Sequence, residues 1–598
     1  MNTKKTTSSS MKKTTRRLLG RLLEQRAKII LVIITAILSC VTYALMPIFS
    51  GQVIDKLIQG LKLYDGSITV PAFLYQTILI PVMLLTAVAI ASALLAFVQQ
   101  RIVASVGENL TLSLRKEINE KVTKLPLKFF DSHQTGDILS RVTNDLEKVS
   151  EVMQTGLMQF IYSTLTIIVT IIAMLWLNPV LTAIVLLSVG IAAFMTGVVS
   201  KKSQQYFAEN QKMLGEINAR AEELYTGNSI IKVFNYQQEA INSILEVNEK
   251  QYKAVRKAEF FNYSIYPAIR FLNQLGFIAT AIAGGVFVIQ GRITIGVAQA
   301  FLQYVNQISE PVTQSSYVIN SLQAALAGAQ RVFELLDEDE EIPDKIVMKG
   351  SSCTDGRVNF EHVQFGYLPD KVLMKDISFD VKPNEMIAIV GPTGGGKTTL
   401  INLLMRFYEI NKGKITIDGV NIKDMSRYEL RHMIGMVLQD TWLFEGTIAE
   451  NIAYGKPDAT MEEIIEAAKA ARCHHFIKTL AEGYETVISG EASHISQGQM
   501  QLLTIARAML ANPMIMILDE ATSSVDTRTE VEIQKAMYSI MRGKTSFVIA
   551  HRLSTIKNAN LILVVKDGDI IETGTHKSLL KQNGFYASLY NSQFEQAV

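Results

Sequence analysis

A chain of 598 residues with a net charge of +2 carries 48% apolar and only 19% charged residues. One hydrophobic core does not organise that length, since domains run to about 100–200 residues, so two or three folding units are expected. A charged fraction below the usual ~25% and a positive mean hydropathy of +0.20 exclude an ordinary soluble protein and place part of the chain in lipid.

The first 28 residues hold Lys4, Lys5, Lys12, Lys13, Arg16, Arg17, Arg21, Arg26 and Lys28 against Glu24 alone. A basic tail ahead of an apolar run is cytoplasmic, and its Thr/Ser/Lys-rich start is expected to be disordered. Residues 29–50 carry no charge over a stretch longer than a signal-peptide core, without a small-residue cleavage site, so the segment is retained. About 20 apolar residues cross the ~30 Å hydrocarbon core as a helix. Uncharged windows of that length fall at 29–50, 73–98, 155–177, 180–200 and 271–291, with Asn178-Pro179 and Gly291 as tight connections. A sixth, 295–318, carries Gln299, Gln303, Asn306 and Glu310 on one helical face and Phe301, Leu302, Val305 and Ile308 on the other. Polar groups inside a span usually face a cavity or another helix, so the four form a candidate lining of a substrate pathway, with interhelical hydrogen bonding as the alternative. Six crossings keep both chain ends on one side. The long charged connections 99–154 and 201–266 read as antiparallel helical arms reaching roughly 35–40 Å into the cytoplasm.

The three cysteines, Cys40, Cys353 and Cys473, are far apart and lack ligand spacing, so neither a disulfide framework nor a zinc site is indicated. After the acidic stretch Asp337 to Pro343 the pattern changes: strand-like runs at Met386 to Val390, Met436 to Leu438, Ile515 to Leu518 and Ser546 to Ile549 alternate with helical ones. That is an α/β domain. The expected division is a basic segment 1–28, a membrane α-helical bundle 29–320, a linker 321–350 and the α/β domain 351–598.

Within that domain, Gly391, Pro392, Thr393, Gly394, Gly395, Gly396, Lys397 and Thr398 fit G-x-x-x-x-G-K-[ST] between an apolar strand and a helix-forming run that begins at Thr399. Glycines let backbone N–H groups close around phosphate oxygens, Lys397 reaches the outer phosphates, and Thr398 is placed to ligate Mg²⁺. A buried strand ends in Asp519 and Glu520, fit to hold the Mg²⁺ shell and to polarise an attacking water. His551 follows a further strand, Phe547 to Ala550.

The order Gly391 to Thr398, Gln439, Ser496-Gln497-Gly498-Gln499, Asp519-Glu520, Ser523 to Asp526 and His551 resembles that of an ABC transporter ATPase domain, and about residues 15–595 resemble an ABC exporter half-transporter. The resemblance implies ATP and Mg²⁺ as cofactors and Tyr367 stacked on adenine. It also implies Gln439 sensing Mg²⁺, Asp526 in the nucleotide site, His551 on the γ-phosphate, and a second half-transporter chain completing each site. Phe129-Phe130-Asp131 with Gly136, Asp137, Ser140 and Arg141 resembles the first coupling segment. Glu223, Gly227, Ile231, Lys232 and Phe234 resemble the second, which reaches the partner chain. The expected fold is therefore six transmembrane helices with long cytoplasmic extensions plus an α/β P-loop ABC-type ATPase, in the cytoplasmic membrane of a bacterium.

The chain departs from the family at its signature, where L-S-G-G-Q becomes Ile495-Ser496-Gln497-Gly498-Gln499. A side chain where glycine permits close approach alters the contact with nucleotide on the opposite subunit. An altered signature beside intact catalytic residues favours a heterodimer with one hydrolytic site over a homodimer. The expected cargo is an amphipathic, drug-like and cationic compound, with lipid flipping and peptide export as alternatives. Nucleic acid is not an expected partner.

Overall fold

In a computed structural model, residues 3–63, 70–344, 355–368, 370–439, 441–488, 495–519, 527–550 and 553–594 are described. They form two compact units, one of residues up to 123 and 134–338, the other of residues 124–133 and from 339 onward.

The first unit is all helix. It runs α1 (Thr3–Leu23), α2 (Arg26–Leu63), α3 (Val70–Val122), α4 (Leu127–Ser132, in the second unit), α5 (Thr135–Ser140), α6 (Leu146–Glu151), α7 (Leu157–Leu177), α8 (Pro179–Thr226), α9 (Asn228–Val233), α10 (Gln237–Ile289) and α11 (Ile295–Asp337). Among the described residues, five helical stretches are long and apolar enough to cross a membrane: Arg26–Lys62, Thr77–Val122, Thr135–Leu177, Pro179–Thr226 and Pro267–Ile289. The sixth expected crossing is also helical, as the first part of α11. Asn178 caps α8, accepting from Val180 N and Leu181 N at 3.1 and 3.0 Å, and Gly291 ends α10 at φ +69°. The apolar face of α11 is core as expected, with Phe301, Val305 and Ile308 buried among Met174, Leu181 and Val185. Gly51 and Gly296 let α2 and α11 meet, because a Cβ on either collides with the other's backbone. There Asp55 accepts from Thr294 Oγ1 at 2.6 Å and Gly296 N at 2.8 Å, fixing the start of α11.

One expectation is corrected. The basic start is not disordered from Thr3 on but helical, because Leu18 and Leu22, one turn apart, bury. Its charges also find partners: Arg17 pairs with Asp337 at 2.7 Å over the Phe333 ring, and Arg21 with Glu117 at 2.7 Å. The helix α11 continues past 321 to Asp337. That extension carries Arg331, whose guanidinium grips Asp145, 1% exposed, from Nε at 2.6 Å and from Nη2 more closely. Asp145 closes a π-helical turn over Arg141–Asp145, the kind of bulge that re-aims a side chain.

The second unit holds three sheets. Its strands are β1 (Val358–Phe365), β2 (Met374–Val381), β3 (Met386–Val390), β4 (Lys412–Ile417), β5 (Val420–Asn421), β6 (Ile434–Val437), β7 (Gly446–Thr447), β8 (Val487–Ile488), β9 (Ile515–Asp519), β10 (Thr545–Ile549), β11 (Leu561–Lys566) and β12 (Asp569–Gly574). An antiparallel sheet orders β2-β1-β4-β5, a central one β12-β11-β3-β10-β9-β6, and β7 pairs with β8. In the central sheet β6, β9, β10, β3 and β11 run parallel. Its helices are α12 (Lys397–Leu404), α13 (Arg427–Met433), α14 (Ile448–Ala453), α15 (Met461–Ala470), α16 (His474–Thr479), α17 (Gln497–Ala511), α18 (Thr527–Met541), α19 (Leu553–Asn558), α20 (His576–Gln582) and α21 (Phe585–Phe594). Cys473 is buried at the start of α16, which pushes its thiol up to about 12 and makes it a structural cysteine; Cys353 lies outside the described residues. The acidic segment after α11 is clasped by arginines. Arg427 bonds Asp344 and Ile342 O, each at 2.6 Å, and pairs with Glu341 at 3.4 Å, while Arg406 reaches Asp344 at 3.5 Å.

Candidate active site

Parallel pairing explains why residues far apart in sequence converge. Ile549 is level with Ile389 on one side and with Asp519 on the other, and Val437 is level with Leu518. Four neighbouring strands thus end at one edge, the place where open α/β sheets bind ligands. Gly391 to Thr398 follow β3, Gln439 follows β6, and Asp519 ends β9. His551 follows β10 in sequence; it, Glu520 and Asp526 lie outside the described residues, as do Ser523 and its neighbours.

The loop after β3 has the backbone of a phosphate cradle. Gly394 and Gly396 take φ +79° and +105°, and Gly396 caps the N-terminus of α12. A Cβ on Gly391 would strike Val565 O, and one on Gly396 would lie 3.2 Å from Gly568 Cα, so only glycine leaves the loop this tight. Lys397 turns back across it, donating from Nζ to Gly391 O at 2.8 Å and Pro392 O at 3.0 Å. Burial lowers the Lys397 pKa and the Asp519 carboxylate opposes that shift, so the ammonium is partly desolvated within the loop. Thr393 and Thr398 are exposed at the loop, and Thr399 is buried behind it. The fit to nucleotide is good: a glycine cradle, a helix N-terminus and a poised lysine. For Mg²⁺, Thr398 Oγ1 and Asp519 supply hard oxygen donors, and Gln439 is exposed on the strand edge. Among the described residues no group of three or more His, Cys, Asp or Glu could hold a metal alone. Tyr367, half-exposed, donates to or accepts from Thr399 Oγ1 at 2.9 Å and so borders the cradle.

Ser496 is the N-cap of α17, accepting from Gln499 N at 3.3 Å while Gln499 Oε1 accepts from Ser496 N at 2.9 Å. The S-x-x-Q spacing of the altered signature is therefore also a capping box, legible in sequence yet read there for ligand contact alone. Gln497 is exposed at the first helical position and Gly498 is buried. Sequence reasoning also missed a groove of about 440 Å³ lined by Leu438, Trp442, Tyr454 and Arg507.

In the membrane unit the polar stripe divides. Gln299 and Gln303 donate to Ser50 Oγ at 3.4 and 3.3 Å, whereas Asn306 and Glu310 are exposed.

Helices that span a membrane, joined in one chain to a phosphate-loop α/β domain, define an ATP-driven membrane transporter. Residues 29–312 match the ABC transporter transmembrane region and residues 374–523 the ABC transporter ATPase family, and the chain belongs to the ABC exporter family as a half-transporter. It is 47% identical over 497 residues, 83% of its length and 78% of the relative's, to the "Fatty acid ABC transporter ATP-binding/permease protein" of Mycobacterium bovis. It is 35% identical to the "ATP-dependent lipid A-core flippase" of Syntrophus aciditrophicus, over 84% of this chain and 83% of that one. It is also 34% identical to the "Putative multidrug export ATP-binding/permease protein YgaD" of Bacillus subtilis, over 94% and 97%. The protein is a multi-pass membrane ATPase that couples ATP hydrolysis to transport, with its ATPase domain in the cytoplasm.

Proposed function

We propose that the chain exports amphipathic compounds by alternating access, as one half of a heterodimer. The observation that carries the cargo class is the divided stripe on α11: two glutamines are used to hold α2, while Asn306 and Glu310 are exposed polar groups on an otherwise apolar helix. Relatives named for fatty acids, a lipid A-core and multidrug export support a cargo with both polar and apolar parts. The carboxylate of Glu310 adds a preference for cationic amphiphiles. In the ATPase site, Lys397 and the loop amides hold the phosphates, Tyr367 stacks on adenine, and Ser496 to Gln499 face the partner's nucleotide. Glu520 takes the proton of the attacking water, with His551 on the γ-phosphate, Gln439 sensing the metal shell and Asp526 closing the site. Thr398 and Asp519 would hold Mg²⁺, which when bound would supply charge neutralisation for phosphoryl transfer.

The partner enters twice. Gln497 weakens this chain's contribution to the opposite site, which favours an unlike partner that supplies a signature of its own. The exposed apolar tip of α9, with Ile230, Val233 and Phe234, matches the chemistry of the groove at Trp442 and Tyr454, a match that supports docking across chains.

The test is ATP-dependent transport in proteoliposomes, with Glu520→Gln as the inactive control and fatty acids, cationic dyes, lipid analogues and peptides as cargo. Amphiphiles are expected to stimulate ATP turnover and to be moved, with Glu310→Gln lowering dye transport more than transport of neutral compounds. Movement of peptides alone would overturn the proposal.

A further inference from the structure

Between α3 and the start of α7 lies a cleft that none of the motifs accounts for. Its volume is about 370 Å³, and its walls include Gln99 and Gln100 on α3 and Gln154, Met158, Gln159 and Tyr162 opposite. Two local features shape it. Gly107 lets α3 lie against the facing chain, since a Cβ there would collide with Gln154 Cγ, and this close approach falls one turn past Val103 of the α3 wall. Residues Val152–Gly156 then form a π-helical turn. Such a turn bonds i to i+5, so Gln154 and Gln159 come to one side, with Tyr162 about a turn beyond. Facing them, Gln99 and Val103 keep the i, i+4 spacing of a regular helix. Both rows lie where the uncharged windows 73–98 and 155–177 give way to charged sequence, at the cytoplasmic side of the spans.

The chemistry of the walls selects a ligand class. Among the described residues that line the cleft none is charged, and Gln99 is buried. An ionic head placed there would lose water without gaining a counter-charge, which is costly. A hydroxyl group both donates and accepts, as a carboxamide does, whereas a carboxylate only accepts and an ammonium only donates. Gln154 already commits its NH₂ to Glu108 Oε1 at 3.3 Å and Ser150 Oγ at 3.1 Å, which leaves its carbonyl oxygen to accept. Glu108 itself is exposed and is not part of the lining. Gln99, Gln100 and the Tyr162 hydroxyl bring donors to the same space. Met158 and Val103 set apolar wall beside these groups, so a ligand that fills the cleft carries an apolar part as well. We propose that this cleft binds an amphiphile by an uncharged, hydroxyl-bearing head, such as a glycosyl or glycerol group. The proposal rests on the export of amphiphiles for its ligand's origin, and it adds a head-group class that the Glu310 carboxylate does not serve.

The test is equilibrium binding of tritiated dodecyl glucoside to the full chain in lipid nanodiscs without nucleotide. Unlabelled dodecyl glucoside, dodecylamine, lauric acid and free glucose serve as competitors. The glucoside is expected to compete about tenfold better than the amine or the acid of equal tail length, because those heads leave wall groups unpaired. Gln99→Met and Gln159→Met keep side-chain length and remove the amide. Each is expected to weaken glucoside binding about fivefold, near the loss of one neutral hydrogen bond, and to leave competition by the amine unchanged. Ala96→Phe, at the exposed rim, fills the cleft and is expected to abolish binding, which keeps the test decisive if a glutamine variant fails a thermal unfolding scan. Equal competition by all three amphiphiles, or glucoside binding that survives Ala96→Phe, overturns the proposal. Free glucose competing as well as the glucoside overturns it too, since the ligand would then be a soluble sugar. Failed transport of every amphiphile with glucoside binding intact would instead count against the export reading and leave the cleft standing.

Discussion

At the residue scale the phosphate loop distinguishes glycines needed for backbone shape from those needed for space. Gly394 and Gly396 both have positive φ, but a Cβ on Gly394 meets nothing within 4 Å, whereas one on Gly396 presses on Gly568 at 3.2 Å. Gly394→Ala is expected to cost about 1–2 kcal/mol in backbone strain alone, and Gly396→Ala about 1 kcal/mol more, with weaker ATP binding. Thermal unfolding and ATP titration of the two variants check the order; equal losses would show that the Gly568 contact gives way. The loop was legible in sequence because phosphate binding demands glycine, lysine and threonine at fixed offsets. The cleft between α3 and α7 was not, because it depends on the π-helical turn over Val152–Gly156 and on two rows of side chains far apart in sequence. Nor could the sequence show that Gln299 and Gln303 share Ser50 as a partner, since that requires the facing helix.

At the scale of elements, the apolar windows located the crossings but not the helix ends, because an amphipathic arm continues the same hydrogen-bonded backbone without the apolar signal. The α1 helix was misread for a related reason: a basic, Thr/Ser-rich stretch looks unable to fold until Glu117 and Asp337 appear opposite its arginines. The segment after α11 is held by specific ion pairs. Arg427 is nearly buried and its guanidinium bonds Asp344, Glu409 and a backbone carbonyl, so Arg427→Ala removes several charge-assisted hydrogen bonds, each of about 1–3 kcal/mol before solvent screening. The expected result is faster proteolysis near Glu341 to Asp344 and a lower unfolding midpoint for the ATPase unit, with Arg427→Lys rescuing only part because it loses the forked geometry. Unchanged proteolysis would show that Arg406, which also reaches Asp344, and Arg431, which pairs with Glu341 at 3.6 Å, suffice.

For the whole molecule the question is whether two copies of this chain make two competent sites. A resemblance to ABC exporters implies that each site joins one chain's phosphate loop to the other's signature, so a pair of identical chains would present Gln497 at both. Gln497 is exposed at the first position of α17, with Ser496 already capping the helix, so its replacement by glycine leaves the fold intact at a helix-propensity cost of at most about 1 kcal/mol. Any change in turnover then reports the contact with nucleotide rather than stability. Purified without another chain, the protein is expected to hydrolyse ATP slowly and without cooperativity, and Gln497→Gly to raise the rate about tenfold, equivalent to ~1.4 kcal/mol in the barrier. Added to an unlike partner chain, the protein with Gln497 retained and hydrolysis blocked by Glu520→Gln is expected to trap a single nucleotide per pair. Full cooperative turnover by the chain alone, unaffected by Gln497→Gly, would make it a homodimer in which the signature tolerates glutamine.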